Sequence, residues 1–332
     1  MILNRGNQQS RRELWGELEK AGFDHILSIE NASANYDTET VPSDFPFVRF
    51  IFLNEPVSRG EEINIAASEI SSPLFFLMWS DMQILRSGTA DRMVERLQTP
   101  HVQEPLNVEN GQAVFSTEGK SQFKRLCTVP LIQNGHNETI PTIITPALIY
   151  QKKSVISIKT ILSSANREAT PSLCPFDGIG IYDRERFIRS GGFDPSIKSF
   201  YWQLMDFGFR CNLWGEKIAG TKLIKLAYKG DVPERDGTAD DSYKRFFLKN
   251  LSPVFRGDYA HIPLRRFPWY YRTMGSGLSA AWDEFSATRE WVNINRYRFT
   301  SDARALAESW ESLDVSSAET DDDALSPLED SH

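Results

Sequence analysis

Cysteine is scarce in this chain, with three in 332 residues: Cys127, Cys174 and Cys211. They are far apart, odd in number and form no Cys-x-x-Cys pair. That pattern argues against a disulfide framework or a thiolate zinc site and suits a reducing compartment. No stretch approaches the ~20 apolar residues that a membrane span needs. The opening MILNRGNQQSRREL lacks the apolar core of a signal peptide, so a cytoplasmic protein without a membrane span is expected. A basic excess is missing too, with 37 basic and 45 acidic residues and a net charge of −8. Seven of those acids (Asp314, Glu319, Asp321, Asp322, Asp323, Glu329 and Asp330) fall in residues 314–332, which hold no Lys or Arg. The body is therefore close to neutral. Nucleic acid is not an expected partner, because duplex binders carry a clear basic excess.

What is present is apolar and aromatic content, 40% and 12% of the chain. That suffices for one large α/β domain with a helical annex. No internal repeat is visible. Short apolar runs alternate with helical patterns through the first half, as in a sheet covered by helices. Ser10 and Glu13 form a capping box ahead of Leu14, Leu18 and Ala21, and Gly22 supplies the stop. Strands are expected over Asp24–Glu30, Val48–Leu53 and Pro73–Trp79, the last apolar throughout as in a buried central strand. Met1–Leu3 reads as the stub of a first strand, and Gly60 opens a helix through Ile70. After a weaker stretch from about 90 to 173, with strands over Phe123–Pro130 and Thr142–Tyr150, a strong signal resumes at Pro175. Helices are expected over Arg184–Ser190 and Ile197–Trp214, and a last strand over Ile218–Lys229. Beyond Asp240 the chain reads as helical: Ser242–Leu251, Leu278–Asn295 and Asp302–Ser312. Residues 314–332 should form a disordered acidic tail.

Ligands of open α/β sheets sit outside the carboxyl ends of the strands. Those ends carry Asn4, Arg5, Glu30, Asn31, Asn54, Glu55, Ser80 and Asp81.

Three segments resemble the GT-A glycosyltransferases of family 2 over roughly residues 1–250, with a departure between about 90 and 173. They are the loop after HILSIENAS, the block GEEINIAASEISSPLFFLMWSDM, and GIGIYDRERFIRSGGFDPSIKSFYWQLMDFGFRCNLWGEKI. The last is the most specific. Gly-Gly-Phe-Asp followed closely by Asp-Phe-Gly-Phe-Arg and Trp-Gly is hard to reach by chance. The resemblance implies a GT-A (Rossmann-like) mixed sheet flanked by helices over residues 1–240, with a divergent insert at about 90–173. A C-terminal helical extension over 241–313 follows. It also implies a nucleoside diphosphate sugar donor, a glycan, lipid or protein acceptor, and Mg2+ or Mn2+ to neutralise the leaving diphosphate. By the same resemblance Asn4, Arg5, Glu30, Asn31, Asn54, Gly60, Asn64, Ser80 and Asp81 would serve the donor. Asp177, Gly178 and Trp202 would serve the sugar or acceptor, and Asp81 and His261 the metal. Asp206 would be the catalytic base.

The motifs depart from that pattern. Aligned on Asp81, the Asp-x-Asp metal motif reads Trp79-Ser80-Asp81, with one acid. Aligned on Arg210, the Glu-Asp-x-Asp block reads Gln203-Leu204-Met205-Asp206, with an apolar residue at the base position. Each residue also has a plainer reading. Asp206 and Arg210 are an i,i+4 pair, Asn64 can be a solvated helix residue, and Gly60 can serve backbone geometry. Trp202 can be core, and a lone His261 is more often a surface or capping residue. Asp177-Gly178-Ile179-Gly180 lacks the strand–GxGxxG–helix context of a phosphate loop. Leu264–Arg272 mixes basic and aromatic residues and could touch a membrane surface, but Pro268 should break a helix there. A glycosyltransferase-like binding or scaffold protein without turnover is the alternative function. A sugar nucleotidyltransferase ranks last, because its Gly-rich opening loop is missing.

Overall fold

The first strand can be two residues long because both of its neighbours hold it. β1 (Ile2–Leu3) lies between β2 (Ile26–Asn31) and β4 (Leu74–Trp79), parallel to each. The amides of Met78 and Ser80 donate to the carbonyls of Met1 and Leu3. The computed structural model describes residues 1–5, 11–31, 44–85, 89–97, 107–109, 112–114, 125–151, 154–165, 168–274 and 277–310. Ser10, the stretch 32–43 and the tail 314–332 lie outside them, as do the expectations placed there.

The central sheet has eight strands in the order β3-β2-β1-β4-β11-β8-β12-β5. Its other members are β3 (Val48–Leu53), β5 (Met82–Ile84), β8 (Cys127–Gln133), β11 (Gly180–Asp183) and β12 (Ile218–Tyr228). β11 runs antiparallel to β4 and β8, and β5 antiparallel to β12, while the other six strands share one direction. This is the expected mixed sheet, and the expected strands are found. The stretch 90–173 is not wholly an insert, because it contributes the inner strand β8. Three hairpins were not foreseen. β6 (Asn107–Glu109) pairs with β7 (Gln112–Val114). β9 (Ile143–Gln151) leaves the main sheet and pairs with β10 (Ser154–Ser163). β13 (Val254–Arg256) pairs with β14 (Tyr259–His261) where only helix was expected.

Helices cover the sheet: α1 (Arg11–Lys20), α2 (Arg59–Glu69), α3 (Thr89–Leu97), α4 (Arg184–Arg189) and α5 (Phe200–Leu213). Ser58 caps α2 by accepting from the Glu61 amide, and Gly22 and Gly215 end α1 and α5 with positive φ, as their positions suggested. Under α4 and α5 lies an aromatic core in which Phe75 stacks on Tyr182 at 4.9 Å, with Phe187, Phe193 and Phe207 around them. Gly208 lets α5 approach the preceding loop, since a Cβ there would lie 2.4 Å from the Leu173 carbonyl oxygen.

The Gly-Gly-Phe-Asp segment is scaffold. Gly191 and Gly192 both take positive φ, and a Cβ on Gly192 would run into the Asn64 side chain. Phe193 is fully buried, and Arg210 donates to the carbonyls of Ser190 and Gly192. Asp194 reaches Lys249 at 2.8 Å, in a π-helical turn (Phe247–Leu251) that follows α6 (Asp241–Phe246). Lys249 also bonds Asp206 at 3.0 Å and so ties the C-terminal part to the core. That part continues through α7 (Phe267–Met274), α8 (Leu278–Ile294) and a helix over 303–310. Pro268 does not break α7. It sits in the first turn, where a missing N–H costs nothing.

Burial alone would raise the Asp194 pKa, but the Lys249 charge and hydrogen bond hold it well below the usual carboxylate range. Its contribution to stability is therefore complete above the ordinary Asp value and fades as pH falls below it. Lys249→Met should cost about 3–5 kcal/mol in urea unfolding, because it leaves buried carboxylates uncompensated. It should also flatten the stability loss below pH 4. A cost under about 1 kcal/mol would show that the network does not lock the two parts together.

Candidate functional site

At the carboxyl edge of the sheet, β4 meets the reversed strand β11. Pro175–Gly178 makes that reversal in a short 3-10 turn, with φ of +52° at Asp177 and +75° at Gly178. An Asp tolerates the left-handed region better than most residues, at some cost in strain. The turn places the Asp177 carboxylate against the end of β1, where Arg5 meets it as a fork. Arg5 Nη1 donates to Oδ2 at 2.7 Å and Nη2 to Oδ1 at 2.8 Å. Tyr228, at the end of β12, donates its hydroxyl to Asp177 Oδ2 at 2.9 Å.

Trp79 is the floor of the cluster. Its indole Nε1 donates to the Asp177 carbonyl at 2.9 Å, and the Arg5 guanidinium lies 3.7 Å from its ring centroid. A second guanidinium, Arg59, is 5.9 Å from the same ring and pairs with Glu62 at 2.8 Å. Asp81 stands 3.9 Å from Arg5 Nη1 through Oδ2, while its Oδ1 is buried without a hydrogen-bond partner. Burial raises the Asp81 pKa, outweighing the attraction of Arg5. Burial opposes the charge on Arg5, but the Asp177 hydrogen bond and charge raise its pKa overall. The Tyr228 hydroxyl is pushed up by burial and then by Asp177, so it remains a donor.

The sequence-expected residues divide into two groups. Asn4, Arg5, Ser80, Asp81, Asp177 and Gly178 meet at this edge. Ser80 is buried, and its hydroxyl serves the Arg5 backbone and Asn4. Gly178 is packed under Phe200. Glu30 is buried and accepts from Ser28 at 2.8 Å. Asn54 is exposed beyond β3, and Asn31 closes β2 with a side chain outside the described set.

The remaining residues are committed elsewhere. Gly60 donates its amide to Gln203, and a Cβ there would strike Phe193, so it serves backbone geometry. Asn64 is not a donor contact, because its amide clamps the Phe193 backbone at 2.8 and 2.9 Å. Trp202 presents no face to a sugar. It is buried among Tyr201, Tyr243 and Phe246 and bonds the Thr238 carbonyl.

Asp206 cannot serve as the base in this geometry. It is 0% exposed and is held by Arg210 at 3.3 Å, Lys249 at 3.0 Å and Asn250 at 2.8 Å. Its oxygens are taken up by these donors and sealed from an acceptor hydroxyl. His261 ends β14, where no group of three or more His, Cys, Asp or Glu converges among the described residues. Burial and then the charges of Arg256, Arg289 and Arg265 lower its pKa.

Trp79 and Tyr228 are the contributors that sequence reasoning missed. Trp79 counted only as a lost acid. Tyr228 could have been suspected, since a tyrosine at the carboxyl end of the last sheet strand faces the same edge.

The expected Mg2+ or Mn2+ does not fit these side chains. Among the described residues no group of three or more His, Cys, Asp or Glu converges. Both Asp177 oxygens belong to Arg5, and Asp81 offers a single unengaged oxygen. Among the described residues, no helix is long and apolar enough to cross a membrane.

No known family model and no curated protein matches the chain in sequence. Solved structures do match it in shape. GalNAc-T7, solved with UDP, GalNAc and Mn2+, superposes with a TM-score of 0.52 at 12% identity, over 89% of this chain and 56% of its own. TarS from S. aureus with UDP-GlcNAc gives 0.45 at 11% identity, over 86% of this chain and 70% of its own. The mannosyltransferase PcManGT from Pyrobaculum calidifontis, with GDP-Man and Mn2+, gives 0.42 at 10% identity, over 98% and 75%. This chain thus spans little more than half of GalNAc-T7. The likeness establishes the fold: a GT-A mixed sheet flanked by helices.

Tyr228→Phe removes one of three hydrogen bonds from the Asp177 carboxylate and should cost about 1.5–3 kcal/mol in urea unfolding, as for a bond to a charged group. A value near zero would mean that Tyr228 does not help hold the edge.

Proposed function

We propose that the chain is a glycosyltransferase that binds a nucleoside diphosphate sugar at the carboxyl edge of its sheet. The single observation behind this reading is the meeting of Arg5, Trp79, Asp81, Asp177 and Tyr228 at the β4–β11 reversal. The strand order switches direction between β1 and β4, and ligands of open α/β sheets bind outside the carboxyl ends of the strands at such a point. GalNAc-T7, whose fold is shared, was solved with a nucleoside diphosphate and a sugar. Residues 1–240 are taken as the transferase domain and 241–313 as its helical extension. Glu30, Asn31 and Asn54 remain candidates for the nucleoside side, being on the neighbouring strands of the same edge.

In the transfer, the hydroxyl of a glycan, lipid or protein acceptor attacks the anomeric carbon. A new C–O bond forms while the bond to the diphosphate breaks, and the leaving nucleoside diphosphate takes the electron pair. One displacement inverts the anomeric centre, and the proton of the hydroxyl passes to solvent or to the leaving diphosphate.

One observation favours a second reading, a binding protein without turnover. The base position carries Leu204, and the nearby acid Asp206 is fully engaged.

A thermal-shift panel with UDP, GDP, CDP and dTDP sugars tests the binding step. One donor class should stabilise the protein by about 2.7 kcal/mol at 100 times its dissociation constant. No shift with any donor would end the donor-site reading. A shift without release of nucleoside diphosphate, with or without added acceptors, would favour the binding protein.

A further inference from the structure

We infer that Arg5 takes the place of a divalent cation in this site, so that the donor diphosphate is bound without metal. The inference rests on the donor-site reading above.

Arg5 is an oriented cation. Stacking at 3.7 Å on Trp79 fixes the plane of its guanidinium, and the Asp177 fork fixes its rotation within that plane. Of five N–H donors, two are committed to Asp177 and three have no partner among the described residues. About a quarter of the side chain is exposed, 26%. A guanidinium with donors free on one edge matches two phosphate oxygens, and it can neither dissociate nor lose its proton. Ordinarily a fork of this kind closed on a carboxylate would be a structural pair. What distinguishes it here is the unengaged edge at the mouth of the sheet.

The same geometry turns a metal away. An ion bound to Asp81 Oδ2 would sit within about 6 Å of the guanidinium, given a ligand distance of ~2 Å, and the two positive charges would repel. Asp177 cannot join Asp81 around an ion without releasing Arg5 and Tyr228. In this arrangement Asp81 is a negative charge beside the phosphates rather than a bridge to them. Its removal should help binding, whereas removal of a metal ligand would abolish it.

The experiment is calorimetric titration of UDP and GDP into wild type, Asp81→Asn, Arg5→Gln and Arg5→Gln/Asp177→Asn, each in EDTA and in Mn2+. The double variant keeps the test open if Arg5→Gln alone fails to fold, because it removes the Asp177 carboxylate together with its bidentate partner. Support for the inference has three parts. One diphosphate binds wild type in EDTA with an affinity within about threefold of that in Mn2+. Asp81→Asn binds as tightly or tighter. The Arg5 variants bind about 10–100-fold more weakly, the range for a lost hydrogen bond to a charged group. Binding that requires Mn2+ and vanishes in Asp81→Asn would overturn the inference and leave the donor site standing. No binding in either condition would remove the donor-site reading, and the inference with it.

Discussion

The bidentate pair between Arg5 and Asp177 joins positions 172 residues apart and sets the geometry of the whole edge. One partner ends the first strand, and the other sits in the turn that reverses the sheet. Tyr228 and the Trp79 indole then close on Asp177, while Asp81 is left facing the guanidinium. The pair is half-buried, so its Coulomb attraction is less screened than at the surface and its desolvation penalty is less than in the core. Breaking one partner would strand the other beside apolar ring surface. The left-handed backbone at Asp177 is the local strain that this pairing holds in place.

A second network, deeper in the fold, does different work. Asp206, Asp194, Lys249, Arg210 and Asn250 satisfy one another around the π turn that begins the extension. The segment that most clearly marks the fold family, Gly-Gly-Phe-Asp through Arg210, belongs to this network. It supplies architecture, whereas the edge proposed to bind the donor is assembled from strand ends. This separation is consistent with a shared fold at 12% identity.

Much of the fold was legible because period and punctuation agree. The apolar run Leu74–Trp79 and the stops at Gly22 and Gly215 sit where pattern placed them. The hairpins β9–β10 and β13–β14 were not legible, because pairing between short strands depends on partners rather than propensity. At the site, strand-end logic reached Asn4, Arg5, Ser80 and Asp81, while Asp177 was reached only as a sugar or acceptor contact. The roles that the resemblance implied for Asp206, Asn64 and Trp202 could not foresee their bonds to Lys249, Phe193 and Thr238, which lie 36 or more residues away in the chain. Trp79 shows the limit most clearly. In sequence it is a missing acid, and only the Arg5 stack gives it a role.

Hydrogen–deuterium exchange with and without the stabilising nucleoside diphosphate sugar tests the central claim most directly. The account predicts slowed exchange at residues 3–5, 79–82, 176–180 and 228–229, with little change in the π turn at 247–251. Protection confined to other regions, or none at those strand ends, would contradict a donor site at the β4–β11 reversal.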